Sequence, residues 1–120
     1  MTRSDTDPHG ALSTCIAAED GEYEVSIDAG YHHVAFAHIR PSCSTIELSI
    51  DIAAGNPSPR VRSQLIDAVF GLDVMHNPVT LLATLPLGDV DLLSEVALHC
   101  VDLHTRAAGR SCLVDGHLSA

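Results

Sequence analysis

The stretch TIELSIDIAAGNPSPRVRSQLIDAVFGL, residues 45–72, decides the architecture. In its first half Ile46, Leu48, Ile50 and Ile52 alternate with Glu47, Ser49 and Asp51, the two-residue period of a strand with one face buried. In its second half Ser58 offers a helix N-cap and Pro59 suits the first helical position, where its missing N–H is harmless. Val61, Leu65, Ala68, Val69 and Leu72 then recur at three- and four-residue steps, so an amphipathic helix runs to about Gly71.

Two further strands precede this unit. Glu22 to Ala29 sets Tyr23, Val25 and Ile27 against Glu22, Glu24, Ser26 and Asp28. Gly30 makes a turn, and His33 to Arg40 follows with apolar residues on both faces, as in a central strand. Pro41-Ser42-Cys43 turns the chain into Thr45, which completes an antiparallel meander of three strands. Before Glu22 the pattern is weak: Leu12 to Ala18 fits a strand or a helical turn equally. Residues 1–20 are expected to be a flexible or weakly ordered segment, and residues 21–120 one domain.

Downstream, Val79 to Leu85 is a short apolar run between Pro78 and Pro86 and reads as a buried strand. Asp89 caps a longer predicted helix whose face is traced by Leu93, Val96, Ala97, Cys100, Val101 and His104, with Gly109 as its stop. Ser111 to Asp115 reads as a last strand. The fold class is therefore α+β: a mixed sheet made of a three-strand meander, then helix-strand-helix-strand, packed with two main helices. Strands joined through helices imply right-handed crossovers and at least one parallel pair.

Composition narrows the function. The net charge is −10, and lysine is absent; the six basic residues are all arginines. A field of that sign repels phosphate backbones, which argues against nucleic acid and anionic membranes as partners. Only 3% of residues are aromatic, so the core is aliphatic. No secretory leader and no apolar run long enough for a membrane span is visible, so a cytoplasmic location is expected, with Cys15, Cys43, Cys100 and Cys112 reduced.

The order of elements from Glu22 to Ser119 resembles the core of the acetyl-CoA-dependent N-acetyltransferase superfamily (GNAT), as a minimal version of its sandwich. In that family an alternating strand, a proline and an Arg-Gly-x-Gly loop lead into a helix whose N-terminal amides cradle the coenzyme A pyrophosphate. The residues similar to that signature are Ile50 to Ile52, Pro57 or Pro59, and Arg60-Val61-Arg62-Ser63. Val61 stands at the first loop glycine, where its side chain fills the space a diphosphate needs. No tyrosine lies beyond Tyr31 to match the late tyrosine that protonates the leaving thiolate in many members.

Three groups of residues bear on chemistry. Arg60, Arg62 and Ser63 at a helix N-terminus form a candidate anion or cofactor contact. Glu47 and Asp51 share one strand face and are the candidate base and its partner, should the chain be an acyltransferase. Cys100 and His104, four apart on a helix, are a weak candidate metal pair. There is no Gly-x-Ser-x-Gly elbow, Walker loop or dinucleotide glycine pattern. Together these features predict a small binding, regulatory or protein-interaction module on a GNAT-like scaffold, non-catalytic and without a cofactor, with a homodimer or protein partner and an optional small anionic ligand. The alternatives are a minimal acyltransferase that uses acetyl-CoA, and a domain stabilised by a His/Cys metal site.

Overall fold

The computed structural model describes residues 12–54 and 58–119. The elements run β1 (Leu12–Glu19), β2 (Glu22–Ala29), β3 (His32–Pro41), β4 (Thr45–Ile52), α1 (Pro59–Phe70), a 3-10 turn (Asp73–His76), β5 (Thr80–Pro86), α2 (Val90–Ala97), β6 (Cys100–Ala108) and β7 (Ser111–Leu118). One seven-stranded sheet holds them in the order β1-β2-β3-β4-β5-β7-β6. All neighbours are antiparallel except β4 and β5.

The predicted meander, first helix and β5 are present. α1 begins with Pro59 after Ser58, although the Ser58 side chain makes no capping bond. Asp89 caps α2 as predicted, accepting from the Leu92 N–H at 3.0 Å. The α+β class with a mixed sheet and two main helices holds.

Three expectations change. Leu12–Glu19 lies within the stretch left as weakly ordered and forms a strand paired with β2 along its whole length. Asp20 and Gly21 close that hairpin with φ of +54° and +79°, the left-handed pair that a tight two-residue turn requires. The long second helix is corrected: α2 stops at Ala97, and Cys100–Ala108 is β6. Gly109, with φ +61°, turns a hairpin into β7 rather than stopping a helix. The sheet therefore has seven strands, where the sequence predicted five. Residues 1–11 of the segment expected to be flexible, and the corner at residues 55–57, lie outside the described residues.

The helices share one side of the sheet, where Arg62 of α1 bonds to the α2 cap Asp89 and Ser63 of α1 to Glu95 of α2. This is as expected of two right-handed crossovers, β4-α1-β5 and β5-α2-β6, that advance in the same direction. Their cover buries Val25, Ile27, Ala37, Ile39, Leu48 and Leu81 beneath Leu65, Ile66, Val69, Leu92 and Val96, each no more than 1% exposed. Full burial of each large aliphatic side chain contributes about 1.5–3 kcal/mol. Phe70 at the end of α1 stacks on His99, with ring centroids 4.2 Å apart, and so ties α1 to the α2–β6 junction. Among the described residues no helix covers the opposite face. It carries Glu24, His38, Ser49 and Thr84 in one row, and Arg40, Glu47, Leu82 and Asp115 in the next.

Candidate functional site

β4 and β5 pair only from Thr45↔Thr80 to Ser49↔Thr84. Beyond that point β4 stays with β3 as far as Ile52, and β5 stays with β7 as far as Pro86. The two half-sheets part, and a cleft opens at the carboxyl ends of the parallel pair, where open α/β sheets hold their ligands. The cleft measures about 430 Å³ and is lined by Ile52, Ala53, Arg62, Pro86, Leu87, Gly88, Asp89, Val90 and Asp91. Leu87 and Val90 stand half or more exposed at its rim.

Arg62 reaches this cleft from the first turn of α1. Its Nε donates to both carboxylate oxygens of Asp89, at 2.9 and 3.0 Å, and Nη2 donates to Oδ2 at 2.9 Å. Such a bidentate fork is the strong form of an ion pair. Arg62 is 9% exposed and is the buried charged residue among those described. The bond to Asp89 raises its pKa against the opposing effect of burial. For Asp89, burial alone pushes the carboxyl up, but the Arg62 hydrogen bonds, the Leu92 N–H and the Arg62 charge together hold it below the usual range. The pair joins the start of α1 to the N-cap of α2 across the cleft.

The other predicted residues are distributed around this centre. Arg60 is exposed at the start of α1. Val61 is 4% exposed, and its N–H bonds to the Ser58 carbonyl at 3.0 Å. Ser63 Oγ donates to Glu95 Oε2 at 3.2 Å, a second link between the helices. Glu47 and Asp51 lie on the helix-free face of β4, four residues and roughly 13 Å apart, too far to act on one atom. Glu47 pairs loosely with Arg40 at 3.5 Å, whereas Asp51 sits near the end of β4, beside Phe36 of β3.

The metal pair is corrected. Cys100 and His104 are on a strand, and a bulge between Val101 and His104 inserts one residue. Cys100 therefore sits on the helix-covered face opposite Leu118, and His104 on the open face opposite Asp115. Burial pushes the Cys100 thiol up, away from the thiolate that a metal binds. Among the described residues no group of three or more His, Cys, Asp and Glu is placed to hold a metal ion.

A second cavity, of about 320 Å³, lies on the open face over β4, β5, β7 and β6. Glu47, Ser49, Thr84, His104, Arg106 and Asp115 supply its polar lining. The cavity is hidden in the sequence because helical spacing continues past Ala97 to Cys100, Val101 and His104. The signal that reveals it is Gly109-Arg110 set between two apolar-rich runs, the mark of a two-residue hairpin.

No protein-family model matches the chain, and no curated protein matches it in sequence. Solved structures do match in shape. The acetyltransferase of the GNAT family from Streptococcus pneumoniae superposes with a TM-score of 0.59 at 11% identity, over 85% of this chain and 70% of that one. The structure of yncA from Salmonella typhimurium, solved with its cofactor acetyl-CoA, gives 0.56 at 9% identity, over 82% of this chain and 65% of that one. The fold is thus the GNAT fold, as the order of elements implied. The expectation that this scaffold comes without a cofactor is overturned by yncA, in which the same fold holds acetyl-CoA. Among the described residues no helix is long and apolar enough to cross a membrane.

Proposed function

We propose that the chain is a ligand-binding module of acetyltransferase fold, and that its ligand is an acyl-coenzyme A whose thioester arm enters the cleft between β4 and β5. The observation that carries this reading is the parting of the parallel strands after Ser49 and Thr84. Strands that part leave backbone N–H and C=O groups facing a gap, and such groups need partners. An arm built of amides and short alkyl links suits them, with Ile52 and Leu87 as apolar walls.

The phosphate end fits through fewer contacts. Arg60 at the exposed start of α1 is the residue assigned to it; Arg62 is already held by Asp89, and Ser63 by Glu95. Binding without turnover is favoured by the roughly 13 Å between Glu47 and Asp51 and by Tyr31, which lies fully exposed in the β2–β3 turn. A cytoplasmic protein is consistent with such a ligand.

A second reading, a minimal N-acyltransferase, is favoured by Asp51, which stands near the carboxyl end of β4 on the face open to an acceptor. One experiment separates the two. Thermal unfolding is followed with acetyl-CoA, and free thiol release is followed with a panel of amines. A ligand at ~100 times its dissociation constant stabilises by roughly 2.7 kcal/mol. A shift that Arg60→Ala weakens, without thiol release, fits a binding module. A shift with thiol release that Asp51→Asn removes fits the enzyme. No shift at millimolar acetyl-CoA refutes both.

A further inference from the structure

β1 has the composition of an interior strand and the position of an edge. Leu12–Ala18 contains no charged side chain, like the whole of β5 and the His32–Ile39 part of β3; the one charge of β1 is Glu19, at the turn. β5 lies inside the sheet; β1 ends it. From Ser13 onward every residue of β1 is exposed, and Ile16 is 53% exposed although its register partner Val25 is fully buried. Gln64 Nε2 of α1 donates to Thr14 Oγ1 of β1 at 2.9 Å.

The opposite edge is protected. β6 carries Asp102 and Arg106, and its bulge at Asp102, with φ +54°, breaks the run of regular pairing. Charges and bulges are the usual means by which sheets keep other chains off their edges. Within Leu12–Ala18, β1 has no charge, no proline and no bulge.

The backbone direction on that edge is fixed by the hairpin. Glu19 and Glu22 close a two-residue turn and form a hydrogen-bonded pair, so Ser13, Cys15, Ala17 and Glu19 bond to β2. Leu12, Thr14, Ile16 and Ala18 therefore turn their N–H and C=O groups outward. Two such edges, run antiparallel about Cys15, complement each other: Leu12 meets Ala18 of the other copy and Thr14 meets Ile16, so each outward residue finds an outward residue. No like charges face each other in this register, which matters for a chain of net charge −10.

We propose that β1 is the dimerisation edge of this protein, through which two copies join their sheets into one continuous sheet across a two-fold axis at Cys15. The proposal is independent of the ligand assigned to the β4–β5 cleft. In this register Cys15 faces Cys15 of the other copy in a non-hydrogen-bonded pair, with Cα atoms about 4.5 Å apart. That is within the ~4.4–6.8 Å span of a disulfide.

The test uses the full chain. Sedimentation velocity is expected to give twice the monomer mass at high micromolar concentration. Ile16→Pro deletes an outward N–H and leaves the bonds to β2 intact, and Ala18→Arg sets a charge over Leu12 of the other copy. Either variant is expected to be a monomer with unchanged circular dichroism. With Cys43, Cys100 and Cys112 replaced by serine, mild oxidation is expected to yield a covalent dimer that Ile16→Pro abolishes. A wild-type chain that is monomeric throughout overturns the proposal. So does a monomer that dimerises only after residues 1–11 are removed, which would assign the edge to the chain's own N-terminal segment. A dimer that survives both variants and does not cross-link at Cys15 overturns it as well.

Discussion

Arg62 and Asp89 hold opposite charges in the wall of the cleft, with side chains only 11% and 10% exposed. Removing one partner strands the other. Arg62→Met is expected to cost about 3 kcal/mol in urea unfolding, because a buried carboxylate loses its fork. Adding Asp89→Asn to that variant should recover part of the loss; a double variant no better than the single would show that the ion pair is not the source of the cost. The pair also sets a pH dependence. Asp89 has a folded pKa below its unfolded value of about 3.9, so its contribution is fully present above that value and fades as pH falls through the folded one. Acid unfolding of wild type should therefore steepen below about pH 4, and Asp89→Asn should flatten it. The sequence identifies Arg62 by its place at a helix start. It cannot identify the partner, because Asp89 lies 27 residues away and meets Arg62 only once the crossovers have formed. The same holds for Ser63 and Glu95, 32 residues apart.

Elements were legible where one periodicity ran without competition. β2 and β4 alternate cleanly, β3 is a short run with apolar residues on both faces between two turns, α1 carries its apolar stripe between Pro59 and Gly71, and the fold class follows from their order. The region after α2 defeated the same reasoning. Leu93, Val96, Ala97, Cys100 and Val101 keep helical spacing across the real break, so the stripe is continuous in sequence although the backbone changes at Leu98-His99. The bulge in β6 then hides the two-residue period that would have marked a strand. β1 was illegible for a different reason: exposed on both faces, it has no buried face to produce alternation. Gly116 on β7 is bound to the bulge by a close approach. A Cβ there would lie 3.2 Å from the Val101 carbonyl oxygen and 3.4 Å from Leu103 Cα. Gly116→Ala is expected to push the bulged backbone of β6 outward, cost about 1–3 kcal/mol, and speed amide exchange in residues 100–104. Unchanged exchange there, with stability lost elsewhere, would detach the glycine from the bulge.

At the scale of the molecule, a two-layer body with one helix-covered face carries 16 acidic and 6 basic residues. The few cations are partly consumed internally. Arg62 belongs to Asp89, and Arg40 is shared between Glu22 at 3.6 Å and Glu47 at 3.5 Å. What remains on the surface is a surplus of carboxylates that repel one another, and compaction brings them closer than they are in the unfolded chain. Salt should relieve this. The Debye length falls from about 30 Å at 0.01 M to about 3 Å at 1 M, so raising salt across that range screens the surface carboxylates from each other. The urea midpoint is expected to rise with sodium chloride while the m-value stays constant, since the surface exposed on unfolding is unchanged. The buried pair supplies an internal control. Screening acts weakly on charges withdrawn from water, so the loss caused by Arg62→Met should be nearly the same at low and high salt, even as both proteins gain stability. If that loss instead shrinks with salt in step with the surface term, Arg62 and Asp89 are exchanging with solvent. The cleft would then be a wetter and more open place than the 9% exposure of Arg62 implies.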